Sequence, residues 1–455
     1  MSKHSYYEIR EQQNRSRTVR FSDGRLGQPQ ETVRAGMGVR VFQQGSWGFA
    51  AMPSRDSNAR NAMLKEARRN AEFLAGRNGA DEACSLSPSS SGNRDNPIRD
   101  GHANCATDAD LNDYLRQLDA SLKALCGCDV RRNVVLRLLD ENKRLETSDR
   151  KRVESAGSFA ILTITLRLER GGQSVTVRER FGGAGSFERH FGCGEGGARS
   201  IVLDPMLEKL RRKAAGRRAE EGMQTVVLAP EVAGVLTHEA LGHALEADIV
   251  RGGAFTAGKL GRSIASDRVT VVDFAHHANG GLCPVPLFTD DEGNDTVDAC
   301  LVEHGILKGF LHNKQSSMEL GGIAAGNARA STYAGVPLIR MRNTAIMPGT
   351  DSAADLIASV DNGYYLEKAG NGQSDTGGEF TFSIVRGREI RNGTLGQAIR
   401  DTGITGNAAD VLNSIDMVAD DLQWCAPTIC SKGQSLPVGI GGPTIRCHVR
   451  IGGCP

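Results

Sequence analysis

One segment in the middle of the chain says more about the protein than any other. It reads Glu231-Val-Ala-Gly-Val-Leu-Thr-His238-Glu239-Ala-Leu-Gly-His243-Ala-Leu-Glu246-Ala-Asp248. Pro230 precedes it, and proline favours the first turn of a helix, where its missing N–H has no intrahelical partner. The run 224–228 just upstream is typical of a strand. The sequence therefore predicts a strand followed at once by a helix that carries two histidines and a glutamate.

The spacing His-Glu-x-x-x-His is one residue longer than the His-Glu-x-x-His of common zinc peptidases. In a regular α-helix, residues four apart are offset by about 40°, but residues five apart by about 140°. One extra residue absorbed as a π-bulge would return His238 and His243 to a common face, and such bulges occur mostly at functional sites. We expect the distortion near Gly242, because glycine tolerates it.

These residue types fit metal-dependent hydrolysis. Two imidazoles can hold a divalent metal and leave positions open for water. The metal would lower the pKa of that water and polarise a carbonyl. Glu239, beside the first histidine, could take the water proton and pass it to the leaving amine. The alternative is an ordinary helix with two hydrogen-bonded histidines and a surface glutamate.

A third metal ligand has to come from elsewhere in the chain. Cys430 ends an apolar stretch and enters a turn, with Lys432 nearby to favour the thiolate. His276 and His277 compete with it, although adjacent residues diverge on a strand and only one could point inward. The remaining donors are His304, His312, Cys425, Cys447 and His448. The residues alone leave this choice open.

The pattern of predicted elements changes near residue 220, and this change suggests the domain organisation. We predict an α+β protein with an N-terminal α/β domain over 1–220 and a C-terminal domain over 221–455. The second domain should be rich in antiparallel strands, resemble a distorted barrel and carry the one metal-binding helix. A serine-rich, low-complexity insertion near 76–106 interrupts the first domain.

The predicted elements follow from hydrophobic periodicity and turn residues. Helices are expected at 58–74, 111–125 and 205–221. The last of these carries six basic residues, which a solvated face explains most simply. Strands are expected at 38–42, 47–51, 134–139, 159–168, 175–180, 224–228, 269–274, 296–302, 306–311, 338–347, 380–385 and 445–451.

Composition restricts the class of protein. Lys and Arg number 55 against 54 Asp and Glu, a formal net charge of +1. The overall charge therefore does not indicate a nucleic-acid partner. No run approaches the ~18 apolar residues of a membrane span. The first residues lack the apolar region of a signal peptide. We therefore expect a cytoplasmic protein whose 11 cysteines are reduced thiols.

In the HExxxH segment and in several later motifs the chain resembles the TldD/PmbA metallopeptidase family, also called modulators of DNA gyrase. The resemblance is strong over about 220–455 and weaker over 30–75 and 130–200. Its motifs are Leu236–Asp248, Asp290-Asp-Glu-Gly293, Gly326-Asn-Ala-Arg329, Pro337-Leu-Ile-Arg340-Met-Arg-Asn343 and Cys430-Ser-Lys-Gly-Gln-Ser-Leu-Pro-Val-Gly439.

The resemblance implies specific roles. His238, His243 and Cys430 would bind one metal ion per chain, usually zinc although other divalent metals are possible, and Glu239 would be the general base. The family is intracellular and cleaves unfolded or flexible peptides, including leader segments of ribosomally made modified peptides. It also implies two domains and a dimer that encloses the site. The partner would be a second copy or a related chain that lacks HExxxH.

Two other functions are considered. A non-catalytic subunit that binds peptides or a partner would not need the carboxylate of Glu239. A regulator acting directly on gyrase–DNA complexes finds little support in a net charge of +1 and in the lack of a basic surface studded with aromatic residues.

Further polar motifs are open to two interpretations each. Asp290–Gly293 could be a polar hairpin turn or could bind a substrate amine. Arg329 and Arg340 could hold a peptide carboxylate, or could be surface charges or ion-pair partners. Glu246 and Asp248 could orient a metal-bound imidazole or lie on a helix surface. The glycine-rich strands could offer edges to an extended peptide, or their glycines could serve turns alone.

Overall fold

The computed structural model describes residues 5–79, 86, 94–95, 104–127, 129–170, 172–192 and 203–452. Most of the insertion predicted near 76–106 lies outside these residues. The described part is α+β, as predicted, and its framework is one eight-stranded and two seven-stranded sheets. No helix in this part combines the length and the apolar character that a membrane crossing requires.

The eight-stranded sheet belongs to the N-terminal half. Its strands are β1 (Tyr6–Ser22), β2 (Arg25–Leu26), β3 (Gln30–Gln43), β4 (Ser46–Met52), β5 (Arg94–Asp95), β6 (Val130–Thr147), β7 (Arg152–Arg170) and β8 (Gln173–Ala184). The helices are α1 (Ser57–Asn78), α2 (Asp108–Cys126), α3 (Phe187–Phe191) and α4 (Asp204–Ala214). The strand order is β4-β3-β1-β6-β7, with β8 outside β7.

Among the described residues, helices cover only one face of this sheet around β6, β7 and β8. Alternate residues of β7, such as Leu162 and Ile164, are buried, because successive side chains of a strand point to opposite faces. They pack with Leu115 and Leu122 of α2 and with Leu210 of α4 in one hydrophobic cluster. The other face of these strands carries threonines and arginines.

The predicted helix over 205–221 is too long. It ends at Ala214, after which Arg217 forms backbone hydrogen bonds with Ala398 and Arg400. The six basic residues therefore do not share one solvated face. Lys213 is buried and its Nζ donates to the carbonyl oxygen of Thr176.

The C-terminal half holds the remaining elements. Its strands are β9 (Gly222–Leu228), β10 (Val271–Phe274), β11 (His277–Ala278), β12 (Gly281–Leu282), β13 (Ala299–Glu303), β14 (Ile306–Leu307), β15 (Ala328–Arg329), β16 (Leu338–Ile339), β17 (Asn343–Ile346), β18 (Asn362–Ser374), β19 (Glu379–Arg391), β20 (Thr394–Ile399), β21 (Thr402–Asn407), β22 (Met417–Val418), β23 (Gln423–Trp424), β24 (Thr428–Lys432), β25 (Gln434–Gly442) and β26 (Ile445–Ile451). Its helices are α5 (Pro230–Leu236), α6 (Ala247–Arg251), α7 (Lys314–Leu320), α8 (Ala353–Ala358) and α9 (Ala408–Asn413).

Five of these strands close into a barrel in the order β9-β26-β21-β19-β18 and back to β9. Four of its seams are antiparallel, but β9 and β18 run parallel. A parallel pair needs a long connection, and here the chain between β9 and β18 builds α5, the motif segment and much of the next sheet. The predicted barrel is confirmed, with one parallel seam that strand patterns did not reveal.

The second seven-stranded sheet follows the order β14-β13-β10-β17-β25-β23, and β24 pairs with β25. The strand predicted over 338–347 is broken into β16 and β17, which belong to different sheets. Between them, Arg340 and Arg342 are fully buried. The guanidinium of Arg342 pairs with Asp273 at 2.7 Å, so side-chain bonding interrupts the strand.

The sheets divide the chain without sharing strands. The last strand of the first sheet in chain order is β8, and all strands of the other two sheets come later, from β9 onward. The boundary predicted at 220/221 therefore falls between sheets. The domain assignment itself stays a prediction.

Candidate metal centre

The HExxxH motif lies on an interrupted helix. After α5, residues Thr237–Gly242 form a π-helical turn and His243–Leu245 a 3-10 turn. The backbone N–H of His243 donates to the carbonyl oxygen of His238, five residues back. The predicted π-bulge is therefore confirmed, and the two imidazole rings lie with centroids 4.9 Å apart.

Gly242 is needed for space and not for conformational freedom. Its backbone is ordinary helix, with φ −56° and ψ −47°. A Cβ at this position would lie 2.1 Å from the sulfur of Met341. The expectation that glycine serves the distortion is thus corrected: glycine lets the π-turn pack against the segment between β16 and β17.

Three side chains from two distant elements meet at this turn, and we call them the metal-donor group: His238, His243 and Cys430. The sulfur of Cys430, on β24, lies 3.2 Å from Nε2 of His238 and 3.4 Å from Nε2 of His243. The three donor atoms lie within 4.8 Å of one another, and the described residues contain no other group of three or more such donors.

The metal-donor group fits a tetrahedral metal ion. With metal–sulfur bonds of about 2.3 Å and metal–nitrogen bonds of about 2.0–2.1 Å, neighbouring ligand atoms lie about 3.5 Å apart. The two sulfur–nitrogen distances are close to that value. Burial, with the charges of His243 and Arg340, holds the pKa of His238 well below its usual range, which keeps this imidazole neutral, as a ligand must be.

A carboxylate and an ammonium hold His243 in place. Its Nδ1 lies 3.1 Å from the carboxylate of Glu246, which is fully buried. Nζ of Lys432 donates to that carboxylate at 2.9 Å and also to Asp248. Burial opposes protonation, but the hydrogen bonds with Cys430 and Glu246 raise the pKa of His243 to about 10. Glu246 thus orients an imidazole, one of the two roles considered for it.

Glu239 opens into the same cleft. Its Cγ packs against β18, where a Cβ on Gly372 would lie 3.2 Å away. Burial raises the pKa of Glu239, so this carboxylate accepts a proton more readily than an exposed glutamate does. The cleft encloses about 1190 Å³ between the π-turn, β18, β24 and the outer strand β8.

The competing metal ligands lie elsewhere. The ring of His276 stacks on Phe288, with centroids 4.5 Å apart, and Nδ1 of His312 contacts Ser316. Cys447 is buried in the core of the barrel half. Cys425 lines the cleft, but it lies outside the metal-donor group, and burial together with Glu231 raises its pKa to about 12.

The segment Asp290–Gly293, here called the acidic turn, is not an exposed hairpin: its carboxylates are buried, and Asp290 and Asp291 line a cavity of about 490 Å³. Glu292 is fully buried and pairs with Arg40 of β3 at 2.7 Å, while Asp291 pairs with Lys143 of β6 at 3.1 Å. Its carboxylates therefore join the two halves of the chain.

Arg329 and Arg340 are buried, so the interpretation as surface charge is wrong. The guanidinium of Arg340 donates to the carbonyl oxygens of Cys430 and Gln434 at 2.7 and 2.6 Å. Arg329 donates to those of Met341 and Pro437. Both residues hold the β24–β25 hairpin, and Arg340 fixes the backbone that carries Cys430.

Several residues of the cleft were not predicted to belong to the site. Arg178 and Arg180 of β8 and Lys368 of β18 line the cleft. The alternation of arginines on the predicted strand 175–180 was a usable signal, but only the tertiary structure brings this strand to the metal-donor group. Arg180 Nη1 donates to Oγ1 of Thr428, on the strand of Cys430, at 2.8 Å.

The sequence matches the C-terminal domain of the PmbA/TldA metallopeptidases over residues 221–453 and domain 1 of the same family over residues 7–71. A metalloprotease of Methanocaldococcus jannaschii is 30% identical, and the alignment covers 97% of this chain and 95% of the relative. A zinc metalloprotease TldD homologue of Saccharolobus solfataricus is 28% identical, with 92% and 90% covered.

A similar fold is found among solved structures. The crystal structure of TldE from Thermococcus kodakarensis superposes with a TM-score of 0.78 at 19% identity, covering 98% of this chain and 97% of that one. At this identity the likeness concerns the fold alone.

Proposed function

This chain belongs to the PmbA/TldD metallopeptidase family, and from that premise we propose that His238, His243 and Cys430 hold one zinc ion and Glu239 is the general base of peptide hydrolysis. The observation that carries the proposal is the π-turn, because it brings both imidazoles to the sulfur of Cys430 and leaves Glu239 in the same cleft. Zinc is supported by the donor set and by the name of the S. solfataricus relative.

Each residue has a defined task in this mechanism. The bound metal would supply an activated water and polarise the scissile carbonyl. Glu239 accepts the proton of that water and returns it to the leaving amine. Glu246 accepts a hydrogen bond from Nδ1 of His243, which leaves Nε2 as the nitrogen that would bind the metal after losing its proton. Arg340 holds the carbonyl of Cys430 and with it the position of the sulfur.

We propose an unfolded or flexible peptide as the substrate, such as the leader segment of a ribosomally made modified peptide. The cleft is bordered by β24, which pairs only with β25 among the described strands, and by the distal part of β18. An extended peptide can add to such edges through main-chain hydrogen bonds. This recognition reads backbone more than side chains, so broad specificity follows.

We also propose that the protein acts in the cytoplasm as a dimer, with a second copy or with a related chain that lacks HExxxH. The support is the shared fold with TldE and the pairing known for the family the chain belongs to. In a heterodimer this chain would be the catalytic partner, since it keeps Glu239.

The metal content of purified protein tests the site. We expect about one zinc per chain, sharply reduced in Cys430→Ser. Cys425→Ser is the matched control, because Cys425 lines the same cleft outside the metal-donor group, and it should keep its zinc. Zinc retained by Cys430→Ser would contradict the proposed ligand set.

Peptide cleavage tests the reaction. A zinc-loaded parent that cleaves flexible peptides, and stops when the zinc is chelated, supports the peptidase. A zinc-loaded parent that binds such peptides without cleaving them, alone and with a related chain added, would favour the alternative of a non-catalytic binding subunit.

A further inference from the structure

In the described part of the chain, one face of the N-terminal sheet carries no helix near β6, β7 and β8. At one end this face packs on the C-terminal half through Arg10 and Lys143, and at the other it meets the metal cleft along β8, the outer strand on that side. Arg178 and Arg180 lie two residues apart on β8, about 7 Å along the strand, and both are exposed. Both line the cleft that contains the metal-donor group. The basic face and the candidate catalytic cleft are therefore one continuous surface.

Further arginines extend this face across the sheet. Strand register places Arg180 beside Thr163 of β7, Thr163 beside Val135 of β6, and Val135 beside Arg20 of β1. One register step away, Arg137 of β6 pairs with Thr18. We call this surface the arginine face and define it by Arg20, Arg137, Arg178 and Arg180, with the threonine hydroxyls between them.

The arginine face has no ion pairs within the described ranges, and Glu231, the carboxylate that acts on Arg180 across the cleft, is itself paired with Lys368. Among the described residues, Arg20, Arg137 and Arg178 have no carboxylate within ion-pair distance, and Arg180 bonds only to the hydroxyl of Thr428. Exposed arginines farther along the same sheet do have partners, since Arg15 pairs with Glu31 and Arg144 with Glu154. The arginine face therefore combines several unpaired arginines on neighbouring strands beside the cleft.

The charges also crowd one another. Partial desolvation at the cleft edge lowers the pKa of Arg180, as do the charges of Arg178 and Arg137, while Glu231 opposes the shift. The three guanidinium groups are therefore within electrostatic reach of one another. The chain contains nearly as many acidic residues as basic ones, 54 against 55. Carboxylates that could pair with these arginines are therefore present in the sequence but lie elsewhere. Like charges left together on an open face are relieved when an anionic partner binds.

We propose that the arginine face binds an acidic segment of the peptide substrate and so directs peptides with such a segment into the metal cleft. The inference rests on the proposed peptidase function and names its substrate class. Guanidinium groups bind carboxylates through paired hydrogen bonds, and the threonine hydroxyls can donate to the same groups. The bond from Arg180 to Thr428 joins this surface to the strand of Cys430.

Two fluorogenic peptides with the same cleaved segment test this. They differ only in a flanking segment of equal length, glutamate-rich in one and glutamine-rich in the other. The zinc-loaded parent should have the higher kcat/KM for the acidic peptide, mainly through a lower KM. In Arg137→Gln/Arg178→Gln that preference should fall about fivefold to tenfold, since each exposed charge contact is modest.

A matched control keeps the charge change the same. Arg262→Gln/Arg450→Gln also removes two exposed arginines, neither of which lines the cleft, and the preference should survive. Raising the salt concentration should weaken the preference of the parent, because exposed charge interactions are screened. An equal preference in the parent and in Arg137→Gln/Arg178→Gln would overturn the proposal.

A binding assay separates this proposal from the peptidase function. Anisotropy of the labelled acidic peptide on Glu239→Gln protein needs no turnover, so it reads the arginine face even if neither peptide is cleaved. We expect weaker binding when Arg137→Gln/Arg178→Gln is added. Tighter binding of a single-stranded oligonucleotide of equal charge, lost in the same variant, would overturn the peptide assignment.

Discussion

The metal-donor group and the acidic turn are both polar clusters in the C-terminal half, but their charges are balanced in opposite ways. Each carboxylate of the acidic turn meets a protein donor: Glu292 meets Arg40, Asp291 meets Lys143 and Asp290 meets the amide of Asn294. In the metal-donor group, donor atoms of three residues face one another. A metal site needs donor atoms that converge on one point, so the convergence of imidazole and thiol donors, and not polarity, distinguishes the candidate site from the structural cluster.

The metal-donor group and the acidic turn also differ in the conformation of their backbone. The metal-donor group lies on a helix forced through a π-turn, whereas the acidic turn uses backbone hydrogen bonds within its own segment, such as that from Gly293 to Asp290. Distorted helices concentrate at functional sites. The four predictions below test whether the two clusters also differ in what they contribute, activity in one case and stability in the other.

The largest effect is expected for Glu239→Gln. Loss of a general base typically costs 10²–10⁴-fold in turnover, so kcat for a flexible peptide should fall by about that factor while zinc content stays unchanged. Asp375→Asn is the control, because Asp375 is an exposed carboxylate in the same cleft. Turnover that survives Glu239→Gln would remove the proposed mechanism.

Glu292→Gln should cost stability instead of chemistry. It weakens the support of Arg40, whose pKa is raised by Glu8 and Glu292 against the cost of burial. Breaking one partner of a buried pair costs about 3–5 kcal/mol, which urea unfolding would measure. Glu154→Gln, which breaks the exposed pair with Arg144, should cost less than about 1 kcal/mol. Equal costs would show that burial does not govern this cluster.

A charged cluster at the cleft wall should make stability depend on pH. Burial opposes ionisation, but Lys368, Arg386 and Lys209 lower the pKa of Glu179 to about 2. A depressed carboxylate stabilises the fold above its unfolded pKa and loses that contribution as pH falls. The parent should exceed Glu179→Gln by about 2–3 kcal/mol at pH 7.

That difference should shrink between about pH 5 and pH 2, because protonated Glu179 resembles glutamine. Urea midpoints of both proteins over this range provide the measurement. A difference that stays constant as pH falls would mean that Glu179 contributes through shape and not through charge.

The smallest effect is expected for Glu246→Gln, which acts on the metal through His243. Groups that orient a metal ligand typically affect affinity by 10–100-fold, so zinc should bind about that much more weakly in a chelator competition. Asp248→Asn is the control, since Asp248 is exposed and contacts Lys432 but not the imidazole. Equal losses in both variants would assign the effect to Lys432 instead.

The sequence by itself determined the features that depend on local periodicity. The spacing of His238 and His243 is incompatible with one face of a regular helix, so the π-turn could be predicted without any tertiary information. The strand predicted over 159–168 likewise lies within β7 (Arg152–Arg170). These features follow from backbone geometry, which neighbouring residues fix among themselves.

The sequence pattern failed where polar side chains are buried between the two halves. Strand β1 was not predicted, although it spans 17 residues. Its inward positions include Arg10 and Gln12, which donate to carbonyl oxygens of the segment 331–335. Partners more than 300 residues away make these residues favourable in the interior, and a local hydrophobic pattern cannot register them.

Tertiary structure alone decided which donor joins the two histidines and what the acidic turn does. Cys430, His276 and Cys447 were all possible in sequence, but only the β24–β25 hairpin, held by Arg340, brings a sulfur to the π-turn. In sequence the acidic turn could be a polar hairpin turn or a site for a substrate amine, and the tertiary structure pairs it with Arg40 and Lys143 of the other half. Both outcomes depend on contacts between segments distant in sequence, because the energy of a buried charge is set by the partner it meets and not by its neighbours in the chain.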